Sequence, residues 1–154
     1  MPNPNRWLAR QLSHLHHRLW WTRAVTLGVR AIVLRDRDVF LVRHTYRPGW
    51  YLPGGAVDAG ESAETAIVRE LQEEGGIVCT GRPALHGFFR NGRRDHVACY
   101  IVHQFTFDAA LALPEWEIAE AGFFPLDRLP EGATRATRAR LAELTGSGLP
   151  ADVW

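Results

Sequence analysis

Apolar positions change their spacing along this chain, and each change marks a different kind of element. Between Arg6 and Arg23, Trp7, Leu8, Leu12, Leu15, Leu19 and Trp20 fall near helical spacing. Arg6, Arg10, Arg18 and Arg23 interleave with them, together with His14, His16 and His17, which predicts an amphipathic helix. After it the pattern turns to β-branched and aliphatic runs, Val25 to Leu34 and Val39 to His44, split by Arg35-Asp36-Arg37-Asp38. Two such runs around a short charged turn predict a hairpin. Arg47-Pro48-Gly49 breaks the pattern, Trp50-Tyr51-Leu52 reads as a short strand, and Pro53-Gly54-Gly55 as a turn. A helix is expected from the polar caps around Asp58 to Ser62 to about Glu74, closed by Gly75-Gly76. Ile77 to Cys79, Leu85 to Arg90, His96 to Phe107 and Ala121 to Phe124 read as further strands, with Asn91-Gly92 as a hairpin turn. Thr134 to Leu144 is a last helix, stopped by Gly146, Gly148 and Pro150. Strands outnumber helices and the two are mixed along the chain, so the expected fold class is α/β (α+β), a mixed sheet covered by helices.

Composition adds little and excludes several classes. The 154 residues suit one domain; 46% are hydrophobic and 23% charged, which is globular rather than disordered. A net charge of +1 argues against a stable nucleic-acid partner. Cys79 and Cys99 have neither metal spacing nor a disulfide framework and read as core hydrophobes. No apolar run approaches the roughly 18 residues of a membrane span, and the Arg-rich start lacks a signal-peptide core. The expected location is the cytoplasm.

The chemistry is concentrated in one helix and the loop before it. Glu70, Glu73 and Glu74 stand at i, i+3 and i+4, so their carboxylates share a helix face, while Ala63, Ala66, Ile67 and Leu71 form an apolar stripe on another. Three like charges on one face are either solvated or gathered by a cation, and carboxylate oxygen suits a hard ion such as Mg²⁺. Arg69 is the nearest cation that could orient one of them. Gly54 and Gly55 allow close approach of backbone to a ligand. Acids would repel phosphate, and a metal bridging carboxylates and phosphate oxygens removes the conflict.

The segment Gly55 to Ile77 resembles the Nudix box: glycine, five residues, glutamate, seven residues, Arg-Glu-aliphatic, any residue, Glu-Glu, any residue, Gly-aliphatic. Those positions are Gly55, Glu61, Arg69, Glu70, Leu71, Glu73, Glu74, Gly76 and Ile77, all matched. A chance match in a chain of this length is on the order of 10⁻⁸. Leu41-Val42-Arg43, Leu52-Pro53-Gly54-Gly55 and Phe123-Phe124-Pro125-Leu126 are also similar to the family, so the resemblance runs from about Val25 to Leu144. It implies a Nudix-like α/β/α sandwich over residues 24–154; the extra N-terminal helix predicted in 1–23 lies outside the resemblance. It implies a Mg²⁺- or Mn²⁺-dependent hydrolase acting on a nucleoside diphosphate linked to another moiety.

By the same resemblance Glu70, Glu73 and Glu74 are metal ligands, helped by the Gly54 carbonyl. Glu73 also orients the attacking water, Arg69 holds the glutamates, and Glu61 supports the loop. The general base comes from the box or from Glu115, Glu117 or Glu120, with Glu117 preferred. Arg43 is expected to contact substrate phosphate, and Gly54 and Gly55 to border the substrate. The run Leu85 to Val97 lacks the proline usual in ADP-ribose-cleaving relatives, which points toward a nucleoside triphosphate or a similar small nucleotide. Arg90, Arg93 and Arg94 crowd a hairpin tip and read as phosphate contacts or a solvated turn. The N-terminal helix reads as a packing element on the domain or across a homodimer, as a basic membrane-surface helix, or as a loose arm. A non-catalytic nucleotide sensor is the alternative function; relatives of that kind usually lose box residues, and this chain has lost none.

Overall fold

A computed structural model of the protein describes residues 24–112, 117–146 and 150–154. The expected N-terminal helix (1–23) and Glu115 lie outside the described residues. The elements in order are β1 (Thr26–Arg35), β2 (Asp38–His44), α1 (Ala63–Gly75), β3 (Ile77–Cys79), β4 (Ala84–Arg90) and β5 (Asp95–Val102). They are followed by β6 (Phe105–Phe107), a 3₁₀ turn (Ala109–Leu111), β7 (Ile118–Pro125) and α2 (Arg135–Glu143).

β4, β5, β1, β2 and β7 form a five-stranded sheet in that order, and β3 and β6 a separate pair. The sheet is mixed: β1 runs parallel to β5, with Val29 opposite Ala98, and the other neighbours are antiparallel. Both faces of the central strands are covered, so β2 reads as a continuous apolar run rather than an alternation. Phe40 and Val42 pack with Ala66, Ile67 and Leu71 of α1. Val39 and Leu41 pack on the other face with Leu52, Phe89 and Leu141. The result is the three-layer sandwich expected from the sequence.

Local chemistry sets the ends of α1. The Ser62 hydroxyl accepts from Thr65 N at 3.0 Å, and Gly76 closes the helix at φ 61°. The structure departs from the sequence reading in two strands. The run His96 to Phe107 divides at His103-Gln104, because β5 pairs with β1 and β4 whereas β6 pairs with β3. Trp50 and Tyr51 make isolated bridges, to Ala133 and Val42, instead of a strand.

The C-terminal segment was not anticipated as structure. Arg90 N donates to Asp152 O at 2.8 Å and Trp154 N to Arg90 O at 3.1 Å, which lays the tail along β4. Arg140 fixes it by donating to Val153 O at 3.0 Å and Glu143 Oε1 at 2.7 Å. Cys99 is buried and its thiol is pushed up to about 12 by that burial, as suits a core residue. Among the described residues no helix is long and apolar enough to cross a membrane.

Candidate active site

The site grows from a split in the sheet. β1 and β2 pair only at Leu34–Val39 and Arg35–Asp38 and then part. Residues 50–57 fill the gap. Val42 and Tyr51 exchange hydrogen bonds of 3.0 and 2.9 Å, Pro53 O accepts from Ala31 N at 3.0 Å, and Gly55 O accepts from Val29 N at 2.8 Å. Gly54 sits at φ +132°, and a Cβ there would lie 2.9 Å from the Val29 carbonyl carbon, so only glycine fits. A Cβ on Gly55 would lie 2.6 Å from Glu70 Cδ, which means the loop runs directly against the α1 carboxylates.

Glu74 is the most enclosed of these acids, 7% exposed. Its Oε2 accepts from Gly54 N at 2.6 Å, and its Oε1 stands 3.9 Å from His44 Nε2. Burial raises its pKa to about 7, against the pull of the Gly54 N–H and of Arg30, and with a further push from Glu70 and Glu117. Burial also raises Glu70, an effect that Arg69 opposes. Arg69 Nη1 donates to Glu70 Oε1 at 2.8 Å and Glu73 Oε2 at 3.1 Å. Nε and Nη2 grip both Glu61 oxygens at 3.1 and 3.0 Å, and Nη2 also meets Ala56 O at 3.1 Å. One guanidinium thus ties the loop, the start of α1 and two of its glutamates together, and the bond to Glu61 is the largest effect raising its own pKa.

The residues expected at the site divide by position. Glu61, Arg69, Glu70, Glu73, Glu74, Gly54 and Gly55 come together. Glu117 lies close enough to raise Glu74, and its carbonyl accepts from Thr45 N at 3.0 Å. Arg43 instead points to the sheet's edge strand, where it pairs with Glu120 at 2.8 Å, directly across the β2–β7 ladder. That pair occupies both groups. Arg30, His44 and Arg47 were not singled out in the sequence. Arg47 Nη2 donates to His44 Nε2 at 2.8 Å. Burial, then Arg47 and Arg30, lowers His44 to about 4, so its ring is neutral at ordinary pH. The available signal was Arg30 itself, a charge in the middle of an otherwise apolar strand.

A NUDIX domain profile matches residues 25–144. The chain belongs to the Nudix family. A Mycobacterium tuberculosis protein that carries the name MutT4 is 33% identical over 99 residues, covering 62% of this chain and 40% of that protein. The ADP-ribose pyrophosphatase of Methanocaldococcus jannaschii is 32% identical over 111 residues, 68% of this chain and 64% of that protein. The chain therefore spans well under the full length of these relatives. Among solved structures, a MutT NUDIX hydrolase from Burkholderia pseudomallei superposes with a TM-score of 0.68 at 30% identity, over 77% of this chain and 97% of that one.

In this Nudix protein the side chains do not form a finished cation cage: among the described residues no three potential ligands cluster. Glu70 and Glu73 lie on Arg69 instead. The donor set still fits a hard divalent ion. Glu74 and Glu70 are enclosed carboxylates whose ionised forms are disfavoured by burial and by a neighbouring acid, Glu70 beside Glu74 and Glu73 beside Glu70, the condition a cation relieves. Pro53 and Gly55 turn their carbonyls onto β1, whereas the Gly54 carbonyl accepts no hydrogen bond among the described residues. Of these three carbonyls it is the one left to join them.

Proposed function

We propose that this Nudix protein hydrolyses a phosphoanhydride bond in a nucleoside diphosphate linked to another group, using a divalent cation, Mg²⁺ with Mn²⁺ as the substitute. The observation that carries the reading is the convergence of the glycine loop on the buried Glu74 and on Glu70. Glu70, Glu73 and Glu74 with the Gly54 carbonyl would hold the cation, whose contribution is to polarise phosphoryl oxygens and to lower the pKa of a bound water. Arg69 keeps the glutamates in place. Glu117 accepts the proton of the attacking water: it lies near Glu74, and among the described residues no cation pairs with it. Water oxygen bonds to phosphorus as the bridging oxygen leaves, and the proton passes to the carboxylate. Residues 24–154 form the catalytic unit, with 1–23 as an extension of it.

The substrate assignment is a (d)NTP or a related small nucleotide. It is supported by similarity to a MutT NUDIX hydrolase and by the absence of proline in Leu85 to Val97. Similarity to an ADP-ribose pyrophosphatase keeps ADP-ribose as the comparison substrate. The test is phosphate and pyrophosphate release with and without Mg²⁺ over nucleoside triphosphates, oxidised nucleotides, ADP-ribose, nucleotide sugars and dinucleoside polyphosphates. Mg²⁺-dependent turnover of one class is expected. Tight nucleotide binding with no turnover of any compound would replace the hydrolase by a sensor.

Arg69→Lys tests the positioning role. A lysine cannot span Glu61, Glu70, Glu73 and Ala56 O at once. Turnover is expected to fall about 10- to 100-fold, as for other residues that orient metal ligands. A variant within twofold of wild type would remove Arg69 from the site.

A further inference from the structure

We propose that the cleft beside α2 is an anion subsite, which takes a phosphoryl group of the substrate beyond the two that flank the scissile bond. This rests on the hydrolase reading and narrows its substrate to nucleotides with at least a third phosphoryl group.

The cleft has a volume of about 430 Å³ and lies between β1, β5, the loop before Pro53 and the start of α2. Arg30, Arg47 and Arg135 line it. Arg43, Arg82 and Arg140 each meet a carboxylate, that of Glu120, Glu64 and Glu143 respectively. The three in the cleft do not, among the described residues. Arg30 donates to Val29 O at 3.1 Å. Arg47 donates to a neutral histidine and lies 4.0 Å over the Tyr51 ring, and its Nε is buried without a partner. Among the described residues Asp95 is the one acidic side chain in the lining, and its two oxygens accept from Thr26 Oγ1 at 2.8 Å and Asn91 Nδ2 at 2.7 Å.

Arg135 is also badly placed for stability. It is the first residue of α2, after the Thr134 cap, where the helix dipole disfavours a positive charge. An anion in the cleft would offset that cost. The positive field is already felt by His44, which Arg47 and Arg30 help to hold neutral.

The cleft reaches the carboxylates through Arg30, which interacts electrostatically with both Glu74 and Glu70. A diphosphate at the carboxylates could therefore continue into the cleft. A neutral base or sugar would leave the Arg47 and Arg135 guanidinium groups without a counter-ion, while a further phosphate answers them with charge-assisted bonds.

The probe is inorganic tripolyphosphate, titrated by calorimetry in EDTA against the full chain, with turnover measured separately. Wild type is expected to bind it, with an affinity that falls as salt rises. Arg135→Gln and Arg47→Gln should each weaken binding about tenfold or more. Arg135→Gln removes an exposed cation from a helix start, so it should fold at least as well as wild type. Glu74→Gln should still bind. In kinetics, Arg135→Gln should raise KM for a nucleoside triphosphate about tenfold relative to its effect on ADP-ribose. Binding unchanged within twofold in both arginine variants, or equal KM effects on the two substrates, would overturn the subsite. An absence of turnover with arginine-dependent binding intact would overturn hydrolysis and leave the subsite standing.

Discussion

Replacing Glu74 by glutamine is expected to abolish turnover and, in the absence of metal, to stabilise the protein at high pH. The two effects have one cause. Glu74 is almost fully enclosed, and its carboxyl is raised from the ordinary 4.5 to about 7, chiefly by burial. For an acid whose pKa is higher in the folded state, the folded form binds more protons between those two values. The stability this gives is fully present below pH 4.5 and is lost as pH rises through about 7. A neutral glutamine keeps an oxygen for the Gly54 N–H and never ionises. In EDTA the variant should match wild type near pH 4.5 and exceed it by about 3 kcal/mol at pH 8 and above. Turnover should fall at least about 10²-fold, since even residues that only orient metal ligands reach that loss. Denaturant melts at several pH values, beside the release assay, check both. A glutamine variant that gains no stability at high pH would mean that ionised Glu74 is fully compensated in the metal-free protein.

The second large effect is expected from Gly54→Ala. The residue stands at φ +132°, and a Cβ would meet the Val29 carbonyl and lie 3.0 Å from Arg30 Cα. These are backbone atoms of the central strand and cannot swing aside. The loop would have to leave β1, giving up the bonds from Ala31 N to Pro53 O and from Val29 N to Gly55 O. A loss of about 3 kcal/mol or more is expected, seen as a melting temperature lower by roughly 10 °C. Gly55→Ala makes the informative contrast. Its Cβ would press on the end of the Glu70 side chain, which can turn away. That variant should keep most of its stability and lose activity through Glu70. If both alanine variants melt together with wild type, the close contact of loop and strand is not what holds the glycines in place.

The parts of this protein that were legible before the structure are those encoded within one or two helical turns. Glu70, Glu73 and Glu74 share a face because of helical geometry alone, and Arg69 reaches Glu73 because it stands four residues earlier. Ser62 and Gly76 mark the ends of α1 by their own side-chain and backbone chemistry. Among the described residues periodicity separated the two helices from the main strands, because it reports which positions are buried. It does not report by whom. The run through β5 and β6 stays apolar while its hydrogen-bond partner changes from β1 to β3, so the break at His103-Gln104 left no mark in the pattern. Arg43 and Arg30 show the same limit. Both are charges in strands, yet one meets Glu120 through the register of β2 and β7, and the other faces a cleft closed by Arg47 and the start of α2. By itself the sequence determined the Nudix helix, its glycine loop and the family. Only the tertiary structure decided which arginines meet carboxylates, that Glu120 is taken by Arg43, and that Glu74 is buried enough to titrate near 7. Charge compensation and desolvation depend on atoms brought together from distant parts of the chain, and no local pattern carries that information.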